Sequence, residues 1–322
     1  MNISKIIGPI AVRRKYNNQN NTNYFSYSTI PQHLKAPNND TFSRSNTKDI
    51  SFGITVKDFP FDYDKFDFII PNNVLRRVKP NIEKIVQEIE IPSTDGLKLK
   101  SWFIAPKENK PVFLFLNGTN SNRTHQEEVV KFFDENGFGA LMPDYRGFAE
   151  NTGVATEKGL YEDAASSLSY LNKKGYKNKE LVLWGYSMGG GVARTIATMN
   201  DFRCAIIDSA IKNEYLIKKH FLDTGIANKD NISPTAVEKF KKQLFSDEKI
   251  PFDTSENIKN IKYPVLFLHS KGDHIVPHWM TEDQFALSAN KDSKLVISEG
   301  TDPHFYRKWT FPYIKDFVDS IK

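Results

Sequence analysis

The sequence predicts an α/β fold in which a mostly parallel sheet is covered by helices on both faces. From residue 86 onward, short apolar runs typical of buried strands alternate with longer segments that have helical spacing. In addition, the apolar run that starts at residue 181 stops at a glycine, and a tight turn and a helical segment follow within residues 185–199. This alternation is typical of sheets whose strands are joined by helical crossovers.

The individual elements follow from turn and capping residues. Two alternating segments, 86–91 and 97–104, are separated by turn chemistry at residues 94–96 and predict a hairpin. Thr124 and Glu127 form a capping box that predicts the start of a helix. The other strands are predicted at 112–116, 138–143, 181–184, 203–207, 265–268 and 295–298, and the helices at 124–136, 157–174, 192–199, 281–289 and the C-terminus.

Composition divides the chain into three parts. Residues 1–50 are dominated by Asn, Ser, Thr and Gln and offer almost no apolar face to bury, so we predict a disordered tail. Aromatic and aliphatic residues return in 51–84, where we expect an ordered extension that packs on the core. Residues 85–322 are predicted to form a single α/β domain.

A long insertion separates two predicted strands, the one containing Cys204 and the one that starts at Val265. It holds roughly fifty residues, whereas ordinary connections hold about 2 to 6, so we predict a helical lid at about 210–262. Its segments 213–221 and 235–245 have helical spacing and mix lysine with large apolar residues. The side chains expected to face a substrate are Tyr215, Leu216 and Phe221.

Charge and cysteine content exclude several classes of protein. The 44 basic and 39 acidic residues give a net charge of +5 and are spread along the chain, which does not indicate a nucleic-acid interface. A single cysteine excludes an intrachain disulfide. No run approaches the roughly 18 apolar residues of a membrane span, and no secretory signal is recognised. We therefore expect a cytoplasmic protein, with export by a non-classical route left open.

The tight turn after residue 184 has the pattern of a nucleophile elbow centred on Ser187. Gly185 and Gly189 are needed there because a Cβ at either position would strike the neighbouring strand or helix. This geometry lifts the serine hydroxyl clear of the sheet. It also leaves the N–H of Met188, at the positive end of a helix, free to stabilise a developing oxyanion.

A nucleophilic serine requires a base and a carboxylate that orients the base, and both should come from loops at the carboxyl ends of strands. Asp273 lies in the loop after the penultimate predicted strand, and His304 lies in the loop after the last one. Their order after the serine is the order that this type of elbow requires. His274 and His278, beside the acid, are the competing bases, and Asp302 is the competing acid.

The loop after the first parallel strand reads Asn117-Gly118-Thr119-Asn120. Because the glycine lets the backbone turn, we predict that the N–H of Thr119 is the second oxyanion donor beside Met188. A solvated polar turn is the alternative interpretation of the same residues.

Five blocks of the sequence lie at residues 89–103, 144–148, 159–164, 185–190 and 264–277. Together they resemble α/β-hydrolase-fold serine hydrolases, and within that fold the group of eukaryotic protein depalmitoylases and their bacterial relatives. The resemblance covers the chain from residue 88 to the C-terminus. Two departures concern the site: Asn117 stands where a histidine usually opens the oxyanion loop, and Asp302-Pro303 stands where a glycine usually precedes the catalytic histidine. Many members of this group carry an N-terminal membrane anchor, and no such anchor is recognised in this sequence.

The resemblance implies a hydrolase of carboxylic esters or thioesters that works through an acyl-serine on a small-molecule or acylated substrate, without a metal or other cofactor. Two alternatives stay open on the sequence: an amidase or peptidase with the same three residues, and a non-catalytic interaction protein that keeps the fold. The sequence does not fix the acyl chain, the leaving group or the oligomeric state.

Overall fold

The computed structural model describes residues 69–224, 251–300 and most of 302–321, together with positions 235 and 238. The predicted tail, residues 51–68 of the predicted extension and most of the second predicted lid segment lie outside the described residues.

Eight strands form one sheet in the described part of the chain, in the order β1-β2-β4-β3-β5-β6-β7-β8. β1 pairs antiparallel with β2, and β2 pairs antiparallel with β4. All the remaining pairs are parallel, which confirms the predicted α/β sheet. The strands are β1 Gln87–Pro92, β2 Lys98–Ile104, β3 Val112–Leu116, β4 Gly139–Pro143, β5 Leu181–Tyr186, β6 Cys204–Asp208, β7 Val265–Ser270 and β8 Lys294–Ser298.

Helices cover both faces of this sheet, as residues from alternate positions of β5 show. The helices are α1 Pro80–Glu83, α2 Glu127–Asn136, α3 Glu157–Lys173, α4 Met188–Met199, α5 Glu214–Thr224, α6 Trp279–Ala286 and α7 Thr310–Ser320. Leu181 and Leu183 belong to one buried apolar cluster that includes residues of α3 to α6, whereas Val182 and Trp184 belong to a second cluster that includes residues of α1, α2 and α7. None of the helices in the described ranges combines the length and apolar composition needed to cross a bilayer.

The start of α2 differs from the predicted capping box. A short 3-10 turn, Arg123–His125, precedes the helix, and Asn122 caps that turn by accepting the Thr124 N–H at 3.0 Å. The Thr124 hydroxyl is used elsewhere: it donates to Asn122 and accepts the Arg76 N–H at 2.9 Å. Because its oxygen faces other partners, Thr124 does not cap α2, which begins at Glu127.

The parallel arrangement gathers the loops that matter for chemistry. β3, β5, β6, β7 and β8 run in the same direction, so the loops at their carboxyl ends meet at one edge of the sheet.

Candidate active site

The turn between β5 and α4 holds Ser187 in a strained backbone conformation. Its φ of 54° and ψ of −121° lie in a region that residues with a side chain rarely occupy. A Cβ at Gly185 would collide with the Gly189 carbonyl, and one at Gly189 would collide with the Leu116 carbonyl. The two glycines therefore allow the helix to approach the sheet closely, as the sequence predicted.

Three side chains from three different loops meet at this turn. His304 Nε2 lies 3.1 Å from Ser187 Oγ, and His304 Nδ1 lies 2.6 Å from Asp273 Oδ2. All three residues are buried. The structure thus brings together the predicted serine, histidine and acid, in the geometry in which a histidine can accept the serine proton.

The Asp273 carboxylate is fixed on both oxygens. Oδ1 accepts the N–H groups of Ile275 and Val276, each at 2.9 Å, while Oδ2 faces His304 and His269. Burial alone raises the pKa of this carboxyl, but His304 and His269 together lower the pKa below its ordinary value. Asp273 is therefore ionised at neutral pH and can stabilise a positive charge on the histidine.

The competing residues face other partners. Asp302 Oδ2 accepts a hydrogen bond from the Ser298 hydroxyl at 3.0 Å, so its carboxylate is turned toward its own loop. His278 Nδ1 lies 3.4 Å from a carboxylate oxygen of Glu282 on α6. His274 contributes its backbone carbonyl to a 3.4 Å contact with the His220 ring.

The predicted oxyanion loop lies directly against the serine. A Cβ at Gly118 would be 3.1 Å from the Ser187 Cβ, so the backbone of the loop passes beside the nucleophile. Asn117 holds the loop from within, because its Oδ1 accepts the Gly118 N–H at 2.9 Å. The Thr119 side chain bonds outside the loop, since its Oγ1 accepts the Ile70 N–H at 2.8 Å. Met188 is the first residue of α4.

His269, at the end of β7, is a site residue that the sequence analysis missed. The side chain is fully buried, and its Nε2 lies 2.8 Å from the Val276 carbonyl oxygen and 3.1 Å from Asp273 Oδ2. Both partners are acceptors, so Nε2 carries a proton. Nδ1 contacts the Thr281 hydroxyl at 2.6 Å. The available signal in the sequence was a histidine directly after the predicted apolar strand 265–268 and four residues before the acid.

A second missed group fixes the loop that carries His304. The Tyr186 hydroxyl donates to the His304 carbonyl at 2.7 Å, and the two rings stack with centroids 5.1 Å apart. Behind them, the Arg307 guanidinium lies 3.9 Å from the Tyr186 ring centroid. It also bonds to the buried Asp208 carboxylate at 2.7 Å. These contacts fix the position of His304 and of the loop that carries it.

The predicted lid residues divide into two groups on α5. Tyr215 and Leu216 are partly exposed and pack against the core at its margin. Phe221 is fully buried within the core, so the structure corrects the expectation that it faces a substrate. The ring of His220 contacts the His274 carbonyl, so α5 lies close to the loop that holds Asp273, which we call the acid loop.

In the described part of the chain, no group of three or more His, Cys, Asp or Glu side chains is placed to hold a metal ion.

Known proteins agree with this architecture. A family model described as the alpha/beta hydrolase fold matches residues 111–215. Human protein ABHD12B is 26% identical over 273 residues, which cover 79% of this chain and 70% of the relative. Lysophosphatidylserine lipase ABHD12 of Danio rerio is 26% identical over 197 residues, covering 58% of this chain and 50% of the relative. These relatives have names other than depalmitoylase, so they support the broader predicted class and not that narrower group.

Among solved structures, the esterase PF2001 of Pyrococcus furiosus superposes with a TM-score of 0.62 at 21% sequence identity. The match covers 79% of this chain and 98% of the esterase. Together with the sheet order and the sharp turn at Ser187, these similarities establish that the chain has the α/β-hydrolase fold.

Proposed function

We propose that the protein is a serine hydrolase that cleaves carboxylic ester or thioester bonds through an acyl-serine intermediate. The observation that carries this proposal is the continuous contact from Ser187 Oγ through His304 to the ionised Asp273. A serine with such a partner is activated as a nucleophile, whereas an isolated serine is not.

The first half of the reaction forms the acyl-enzyme. Ser187 Oγ attacks the substrate carbonyl carbon while His304 Nε2 takes the hydroxyl proton. Asp273 holds Nδ1–H and stabilises the resulting imidazolium. The former carbonyl oxygen becomes negatively charged and accepts hydrogen bonds from the N–H groups of Met188 and Thr119. The intermediate then collapses, and His304 gives its proton to the departing alcohol or thiol.

The second half releases the acid. Water enters after the leaving group departs, His304 removes a proton from it, and the resulting hydroxide attacks the acyl carbonyl. A second tetrahedral intermediate collapses to the carboxylic acid, and Ser187 regains the proton from His304. Only the substrate and one water molecule are consumed, so the cycle returns the enzyme to its starting state.

The relatives support an acyl ester as the substrate. The Danio rerio relative is named a lysophosphatidylserine lipase, and the Pyrococcus furiosus protein of similar fold is named an esterase. On this chain, Tyr215 and Leu216 of α5 are the proposed contacts to the acyl group, because they are partly exposed on the helix beside the acid loop. The thioester activity implied by the resemblance to depalmitoylases is part of the same proposal, since one acyl-serine serves both leaving groups.

The test is turnover of p-nitrophenyl butyrate by the wild type and by Ser187→Ala. We expect the variant to retain less than about one per cent of the activity at an unchanged melting temperature, because the hydroxyl serves chemistry rather than packing. Ser101→Ala is the matched control, since Ser101 is equally buried but lies on β2. Substantial activity of Ser187→Ala would point to another nucleophile, and a wild type that cleaves only the matching anilide would point to an amidase.

A further inference from the structure

Residues 69–76, which we call the strap, form an irregular segment that lies along the oxyanion loop. The Ile70 N–H donates to Thr119 Oγ1 at 2.8 Å, and the Ile70 carbonyl accepts the Asn120 N–H, also at 2.8 Å. Further along, the Arg76 N–H donates to the Thr124 hydroxyl at 2.9 Å. The strap therefore follows the loop from Thr119 to the 3-10 turn before α2.

Asn72 is the central residue of the strap. Its Nδ2 donates to both the carbonyl and the Oδ1 of Asn120, at 3.1 and 3.2 Å. Its own Oδ1 accepts the Val74 N–H at 2.9 Å, which keeps the strap folded around the side chain. Its backbone carbonyl accepts the Asn122 side chain at 3.1 Å and the Ala149 N–H at 3.0 Å. One residue thus joins two loops at the edge of the sheet.

The oxyanion loop needs outside support at this point. Asn120 adopts a left-handed backbone with φ of 50°, which costs energy in any residue that carries a side chain. The loop has left the β3 ladder after Leu116, so its backbone is held by side chains and by the strap. Asn120 directly follows Thr119, and a shift of the Asn120 carbonyl would turn the preceding peptide units.

We propose that the strap, through Asn72, sets the direction of the Thr119 N–H and so completes the oxyanion hole. This inference rests on the proposed function, in which Thr119 is the second oxyanion donor. Asn72 is a positioning residue, because its contacts reach the reacting atoms only through Asn120 and Thr119. The contact between Asn72 and Asn120 then helps to shape the oxyanion hole.

The test compares Asn72→Ala and Asn72→Asp with the control Asn73→Ala. Asn73 is the exposed neighbour of Asn72 in the same strap. Loss of a whole oxyanion donor costs about 10²- to 10³-fold in kcat, so a misdirected donor should cost about tenfold. We expect that loss in both Asn72 variants, with KM within about twofold of wild type. Asn72→Asp retains the oxygen that accepts the Val74 N–H but loses both hydrogen bonds to Asn120. This variant therefore tests the contact with the loop while the internal bond of the strap is kept.

Two further readouts separate positioning from simple destabilisation. Activity is expressed per Ser187 labelled by a fluorophosphonate, so unfolded molecules do not contribute. The pH at which kcat is half-maximal should match wild type, because the hydrogen bonds described for Asn72 go to Val74, Asn120, Asn122 and Ala149 and not to His304 or Asp273. Wild-type kcat in either Asn72 variant, or a raised KM with unchanged kcat, would overturn the inference. A wild type that neither turns over nor reacts with the probe would instead contradict the proposed function itself.

Discussion

Replacement of Asp273 by asparagine tests which carboxylate orients the histidine. In the wild type, Oδ1 is held by two backbone N–H groups, and Oδ2 faces His304 Nδ1 at 2.6 Å. In Asp273→Asn the amide oxygen remains on the two N–H groups, so the NH₂ group takes the position of Oδ2. A donor then faces Nδ1, which must become an acceptor.

This reversal removes the base. A neutral histidine that accepts on Nδ1 carries its proton on Nε2, the atom 3.1 Å from Ser187 Oγ, and cannot take the serine proton. The same acid-to-amide change in a serine protease with this arrangement costs about 10⁴ in kcat. That factor corresponds to about 5 kcal/mol of transition-state stabilisation.

The assay is steady-state hydrolysis of p-nitrophenyl butyrate by folded Asp273→Asn and by the matched control Asp302→Asn. We expect Asp273→Asn to lose about 10⁴ in kcat with little change in KM. Asp302→Asn should retain at least about a tenth of the activity, because the Asp302 carboxylate bonds to Ser298 rather than to the histidine. The opposite ranking of the two variants would show that Asp302, and not Asp273, orients the histidine.

Two further predictions concern helix α5 and Asp273. Tyr215→Ser and Leu216→Ser should weaken hydrolysis of medium-chain esters more than that of acetyl esters, by about 1 to 3 kcal/mol in kcat/KM; equal losses would mean that α5 does not touch the acyl chain. Folding lowers the pKa of Asp273, so its stabilising contribution is complete above the unfolded value of about 4 and is lost as the pH falls below it. The difference in unfolding free energy between wild type and Asp273→Asn, measured by urea titration, should therefore shrink below about pH 4; a difference that grows there would contradict the lowered pKa.

The parts of the fold that sequence predicted are those fixed by local pattern. Alternating apolar residues and glycines in fixed places predicted the sheet and the turn at Ser187, because a strand or a tight turn is determined by a few neighbouring residues. Asp273 and His304 followed from topology, since parallel strands bring the loops at their carboxyl ends together. These inferences needed no knowledge of distant contacts.

The parts that sequence missed depend on distant contacts. Asn72 and Asn120 are 48 residues apart, and no local pattern indicates that one holds the other. The burial of Phe221 also depends on distant partners, because helical spacing predicts an apolar face without saying whether core or substrate covers it. In the sequence, His269 only follows the predicted strand 265–268. The fold of the loop after it brings its ring to Asp273.

The most direct test of Ser187 as the nucleophile is to identify the residue that a covalent inhibitor labels. The wild-type protein is incubated with a fluorophosphonate, its activity is followed, and the modified peptide is identified by mass spectrometry. We expect one adduct per molecule, on Ser187, with activity lost in proportion to labelling and no adduct in Ser187→Ala. Full loss of activity with the adduct on another residue, or full activity after Ser187 is labelled, would contradict this expectation.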